Sequence, residues 1–100
     1  MLIIKRKAGQ GILIGKDRIR FLGISYDLIH GVHIDPKGSV MSWSRNLPKI
    51  GDSLEFGAAT LRINDFDEKG HGVILGVDVP REVRVLREEL PEFRTRQIQE

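Results

Sequence analysis

The run Gly9-Gln10-Gly11-Ile12-Leu13-Ile14-Gly15 recurs in frame as Gly51-Asp52-Ser53-Leu54-Glu55-Phe56-Gly57, and this internal repeat limits the available folds more than any other feature. The frame continues through Arg18-Ile19-Arg20-Phe21 against Thr60-Leu61-Arg62-Ile63. After turns of different length it resumes, with Gly31-Val32-His33-Ile34-Asp35-Pro36-Lys37 facing Gly76-Val77-Asp78-Val79-Pro80-Arg81 across a one-residue gap. Glycines at both ends of a short apolar run mark strand-turn-strand units, because tight turns need positive φ or close backbone approach. Helical periodicity is nearly absent elsewhere, and runs of Ile, Val and Leu alternate with Gly, Pro and Asp, as in a β protein. Strands are expected near 2–7, 11–15, 18–25, 29–34, 39–45, 52–56, 59–65, 72–78 and 82–87. Acids around Pro91 predict a short terminal helix over 90–100, anchored by Phe93 and Ile98.

One hundred residues suit a single domain, which at this size buries roughly two-thirds of the surface of its unfolded chain. The sequence contains no cysteine, which excludes disulfides, thiolate metal sites and a cysteine nucleophile together. No run of eighteen apolar residues occurs, and at the start the charges follow the apolar residues, the reverse of a secretory signal; a soluble, cytoplasmic protein is expected. The net charge of +2 is unevenly spread. Lys5, Arg6 and Lys7 open the chain and Arg81, Arg84, Arg87, Arg94 and Arg96 crowd its end, while the stretch from Asp52 to Lys69 is acidic. If the two ends meet in space they form a basic patch, the footprint of a nucleic-acid partner.

The opening Met-Leu-Ile-Ile-Lys-Arg-Lys-Ala-Gly, with Gly11-Ile12-Leu13-Ile14-Gly15, is similar to the start of the carbon storage regulator (CsrA) family, M-L-I-L-x-R-R-x-G-E-x-x-x-I-G. The block from Gly76 through Val79-Pro80 and Val83-Arg84-Val85-Leu86-Arg87-Glu88-Glu89 to Leu90 resembles that family's G-V-x-A-P-x-x-V-x-V-x-R-E-E-I. Between these blocks the likeness runs only through the repeat. The resemblance implies a mainly β fold, a CsrA-like intertwined β-sandwich or barrel that an ordinary member of about sixty residues builds as a homodimer of five-stranded chains. Here the strand unit is duplicated, which implies a pseudo-dimer in one chain of a single domain 1–100, with copy one over about 1–45, copy two over about 46–90 and the helix after that. Ser39 to Arg45 serves either as the fifth strand of copy one or as the first of copy two. The rival arrangement is one family repeat with a long insertion, which would still form a homodimer.

Alternation along strands groups Leu2, Ile4 and Arg6 on one face, and Val83, Val85 and Arg87 on another. Two aliphatic-x-arginine pairs side by side would form an apolar floor edged by guanidiniums, a surface suited to unpaired RNA bases. The family binds GGA-containing loops and mRNA leaders through the first strand of one subunit and the fifth of the other. The resemblance therefore implies RNA-binding roles for Ile4, Arg6, Lys7, Val85 and Arg87. Lys7 stands where the family has Arg, keeping charge without the planar fork, and Arg84 stands at a usually small or apolar position. Around Met41-Ser42-Trp43-Ser44-Arg45 a second site would have one arginine, so one competent site per chain is expected; Trp43 could stack on a base there, but the core is the commoner role for a lone tryptophan.

Other constellations point nowhere catalytic. His30 and His33 lie on opposite faces of an expected strand, His71 has no triad partners, and Asp65, Asp67 and Glu68 lack calcium-loop spacing. The resulting expectation is a non-enzymatic, cofactor-free and metal-free RNA-binding repressor of translation or modulator of mRNA stability. Its partners would be mRNA leaders and regulatory small RNA, with neither DNA nor membrane. The alternative is a family member whose RNA surface has decayed, acting as a protein-interaction module or as a competitor of an ordinary member.

Overall fold

The computed structural model describes residues 2–67 and 69–88; the helix expected over 90–100 lies outside them. The chain is mainly β. Among the described residues nine strands run in order: β1 (Leu2–Lys7), β2 (Gly11–Ile14), β3 (Asp17–Ile24), β4 (Leu28–Ile34), β5 (Val40–Asn46), β6 (Ser53–Phe56), β7 (Ala59–Phe66), β8 (Gly72–Asp78) and β9 (Val85–Arg87). They form two antiparallel sheets, one ordered β1-β8-β7-β6 and the other β5-β4-β3-β2-β9. Among the described residues no helix is long and apolar enough to cross a membrane.

The repeated sequence folds into repeated backbone chemistry. Gly9 N–H donates to Phe21 O and Gly51 N–H to Ile63 O, both at 2.7 Å. Phe21 N–H donates to Gln10 O and Ile63 N–H to Asp52 O, both at 2.9 Å. The side chains of Gln10 and Asp52 accept from Lys7 N–H and Lys49 N–H, again both at 2.9 Å. Each pair is offset by 42 residues, and the register irregularity after Phe21 is matched by one after Ile63. Gly9 and Gly51 hold φ of 90° and 98°, a region that side chains disfavour, so glycine is needed where the chain bends into each meander.

The two meanders, β2-β3-β4 and β6-β7-β8, exchange their flanking strands. β1 precedes the first meander but pairs with β8 of the second, from Leu2↔Val77 to Lys7↔Gly72. β5 precedes the second but pairs with β4 of the first, from Leu28↔Asn46 to Ile34↔Val40. β9 follows the second and pairs with β2 of the first. The segment around Ser39 to Arg45, as β5, thus holds on β4 the edge place that β1 holds on β8. Among the described residues no strand pairs with the outer edge of β6.

One core joins the sheets: Ile12, Ile19, Phe21 and Ile29 of the five-stranded sheet meet Ile4, Leu61, Ile63, Val73 and Leu75 of the other. Each such burial contributes about 1.5–3 kcal/mol. Trp43 ties the layers together from β5, with its ring 5.5 Å from Phe21 and 5.1 Å from Phe56, both edge-on. Gly31 makes the overlap possible, because a Cβ there would run into Arg20 O and lie 2.8 Å from the Trp43 ring.

Candidate nucleic-acid interface

β9 is held on β2 by backbone and charge together. Gly15 N–H donates to Arg84 O at 2.7 Å and Glu88 N–H to Gly11 O at 3.1 Å, and Ile12, Leu13 and Ile14 lie opposite Arg87, Leu86 and Val85. The Glu88 carboxylate accepts from Arg20 Nε at 3.2 Å and Nη2 at 2.8 Å, and lies 3.0 Å from Arg18 Nε. Gly11 leaves room for it, since a Cβ there would come within 2.7 Å of Glu88 Oε1.

Docked in this way, β9 lies across a cleft from β1, on the other sheet. The cleft, about 180 Å³ in volume, is lined by Leu2, Ile3 and Ile4 from β1 and by Val85, Leu86 and Arg87 from β9. Leu2 and Ile3 are half exposed, Val85 packs against the core and Arg87 is exposed. A broader hollow of about 480 Å³ is lined by Lys5, Lys7, Asp67, Lys69 and His71. Desolvation works against ionisation of Asp67, but N–H groups of His71, Gly72 and Lys69 and the charge of Lys5 outweigh it and hold its pKa below the usual carboxylate value.

The five residues singled out in the sequence do not share one surface. Ile4, Val85 and Arg87 come together in the cleft, and Lys7 belongs to the basic hollow. Arg6 turns inward at 3% exposure, with Nε donating to Lys5 O at 2.7 Å and Nη1 to Gly11 O at 3.0 Å. The expected open floor of Ile4 edged by the Arg6 guanidinium is therefore corrected: both residues lie on the core face of β1, and the exposed face carries Ile3, Lys5 and Lys7. Burial of Arg6 is tolerated because carbonyl oxygens receive its donors. The cleft and the hollow also take in Leu2, Ile3, Leu86, Lys5, Lys69 and His71, which the sequence does not single out as site residues. Alternation already grouped Ile3, Lys5 and Lys7, but both faces of β1 read as aliphatic followed by basic.

At the corresponding place on the other half, the offset of 42 puts Pro48 where Arg6 stands and Lys49 where Lys7 stands. Arg45 supplies the guanidinium instead, donating from Nη2 to Ser53 O at 2.9 Å, the counterpart of the bond from Arg6 to Gly11 O. Trp43 sits with Phe21 and Phe56. Among the described residues no strand lies beside β6 as β9 lies beside β2.

No family model, curated protein or solved structure matches this chain.

Proposed function

We propose that the chain is a non-enzymatic, cofactor-free RNA-binding regulator that resembles a carbon storage regulator dimer fused into one polypeptide, with a single site for GGA-containing loops or leaders. The observation that carries this reading is the cleft between β1 and β9, which brings together two strands from opposite ends of the sequence and different sheets. The crossed pairing of β1 with β8, β5 with β4 and β9 with β2 supports the pseudo-dimer, because each half supplies flanking strands to the other.

In this reading Leu2, Ile3, Ile4, Val85 and Leu86 offer aliphatic cover for the faces of unstacked bases, and Arg87 reads a base edge or a phosphate. Lys5, Lys7 and Lys69 attract the backbone as it leaves the cleft. Arg6 acts from behind, holding β1 to the start of β2. Binding in a leader near the ribosome-binding site would act sterically, occluding initiation or altering transcript lifetime in the cytoplasm. One site per chain removes the avidity of a two-site dimer.

The test is titration of a labelled hairpin displaying GGA in its loop, beside a GGA-to-CCU control. The reading expects loop-dependent binding at one RNA per chain and a log-log salt slope of about 0.7 per neutralised phosphate. It also expects a loss of about 1–3 kcal/mol on Arg87→Ala, with thermal stability unchanged. Equal affinity for the control, or an Arg87→Ala variant that binds like wild type, would replace this reading with that of a protein-interaction module.

A further inference from the structure

From the outer edge of β6, which no strand covers among the described residues, we infer that it is a docking edge for an extended segment of a different polypeptide, one with alternating aliphatic residues, a basic residue facing Glu55 and an acidic residue facing Ser53. This does not depend on RNA binding.

The chain carries its own template for such an interaction. On β2, Gly11 O and Gly15 N–H bond to β9, while Gln10 O bonds to β3, so odd-numbered residues face β9 and even-numbered ones face β3. The offset of 42 transfers this parity to β6. Asp52 O accepts from Ile63 on β7, and Ser53 O points away from β7 and accepts from Arg45. Ser53, the amide of Glu55 and the amide of Gly57 therefore form an outward ladder matching the one that β9 fills on β2.

Charge specifies the occupant. On the filled edge Gly11 pairs with Arg20, and Arg20 binds the carboxylate of Glu88. On the bare edge Ser53 pairs with Arg62, the counterpart of Arg20, which is exposed and has no acidic partner among the described residues. An acid placed like Glu88 would meet Arg62 beside the Ser53 side chain, which fills space that Gly11 leaves open. Leu13, which faces Leu86 on the filled edge, is replaced by Glu55, so a basic residue suits that position. The same Glu55 disfavours a second copy, because two antiparallel β6 strands centred on this residue would set like charges opposite each other. Nor can a second copy lend its β9 without baring its own β2, since among the described residues one such strand serves two edges. Leu47 and Ile50, 65% and 64% exposed, add apolar surface on the segment that leads into β6.

The probe is a synthetic peptide of residues 82–88 carrying Leu86→Lys, titrated into the isotope-labelled full chain and followed by amide NMR. Saturable shifts at Glu55 and Gly57 are expected, with Leu13 and Gly15 unmoved, since covalently attached β9 outcompetes a free peptide on β2. Arg62→Ala should weaken binding about threefold to tenfold. Glu55→Pro removes an outward N–H without breaking a bond to β7 and should abolish binding while the other amide signals of the β6-β7-β8 meander persist. Shifts confined to Leu13 and Gly15, absence of binding, slow exchange of the Glu55 and Gly57 amides in the free chain, or self-association lost on Glu55→Pro would each overturn the inference.

Discussion

Replacing Glu88 with Gln should loosen one wall of the candidate cleft while leaving the two meanders intact. β9 has three residues, and its docking depends on a carboxylate shared by Arg18 and Arg20. Gln keeps the size of the side chain but removes its charge and one of its two acceptor oxygens. The Glu88 side chain is 12% exposed, but those of Arg18 and Arg20 are 37% and 41% exposed, so solvent screens part of the attraction. A charge-assisted hydrogen bond contributes about 1.5–3 kcal/mol when sheltered, whereas an exposed ion pair contributes about 0–1 kcal/mol. The intermediate setting gives a loss of about 1–2 kcal/mol, or roughly a fivefold to thirtyfold rise in opening of β9. Hydrogen exchange reads this directly. The amide of Gly15, bonded to Arg84 O, and the amide of residue 88 should exchange faster by that factor, while those of Phe21 and Ile63, bonded inside the meanders, should not change. Salt near 1 M, where the screening length falls to about 3 Å, should move the wild type part of the way towards the variant. Unchanged protection at Gly15, or a uniform loss across all amides, would refute the reasoning that this ion cluster clamps β9.

Arg6→Ala should destabilise the fold by about 2–3 kcal/mol through lost hydrogen bonds and packing, which calorimetry should record as a fall in Tm of about 8–24 °C. Arg87→Ala should leave Tm unchanged, because Arg87 is exposed where Arg6 is buried. Gly31→Ala forces a methyl group onto Arg20 O and the Trp43 ring and should cost about 1–3 kcal/mol or more in urea unfolding, with altered Trp43 fluorescence. Asp67 has a depressed pKa when folded, so its contribution is present above the ordinary carboxylate value of about 3.9 and is lost as pH falls through the lower folded value. Unfolding measured below about pH 4 should therefore show a steeper acid loss in wild type than in Asp67→Asn.

The strands were legible because their cues are local: alternation of Ile, Leu and Val, and glycines at bends, placed all nine within a few residues of where they form. The repeat was legible too, and it extends to individual hydrogen bonds such as Gly9 to Phe21 and Gly51 to Ile63. Trp43, for which the core was the commoner role and stacking on a base the alternative, is partly buried and packs edge-on between Phe21 and Phe56. Partner choice was not legible. The sequence allowed the segment around Ser39 to Arg45 to close one half or to open the other, since a strand's residues specify a pleated surface and not the edge it joins. Pairing with β4 was decided by long-range contacts: Gly31 admits Trp43, and the Trp43 ring fills the space between Phe21 and Phe56.

The face of β1 that meets solvent was likewise a tertiary matter. Ile4-x-Arg6 and Ile3-x-Lys5-x-Lys7 carry nearly the same pattern of apolar and basic groups. Burial went to the first because Ile4 completes the core against Val73 and Leu75, and because Gly11 O lies within reach of the Arg6 guanidinium. The sequence by itself determined the strand inventory, the repeat and the basic character of both ends. The crossed exchange of β1, β5 and β9 determined that β1 and β9 meet at one cleft and that, among the described residues, the outer edge of β6 is left unpaired, because edge pairing depends on which distant strand is left unsatisfied.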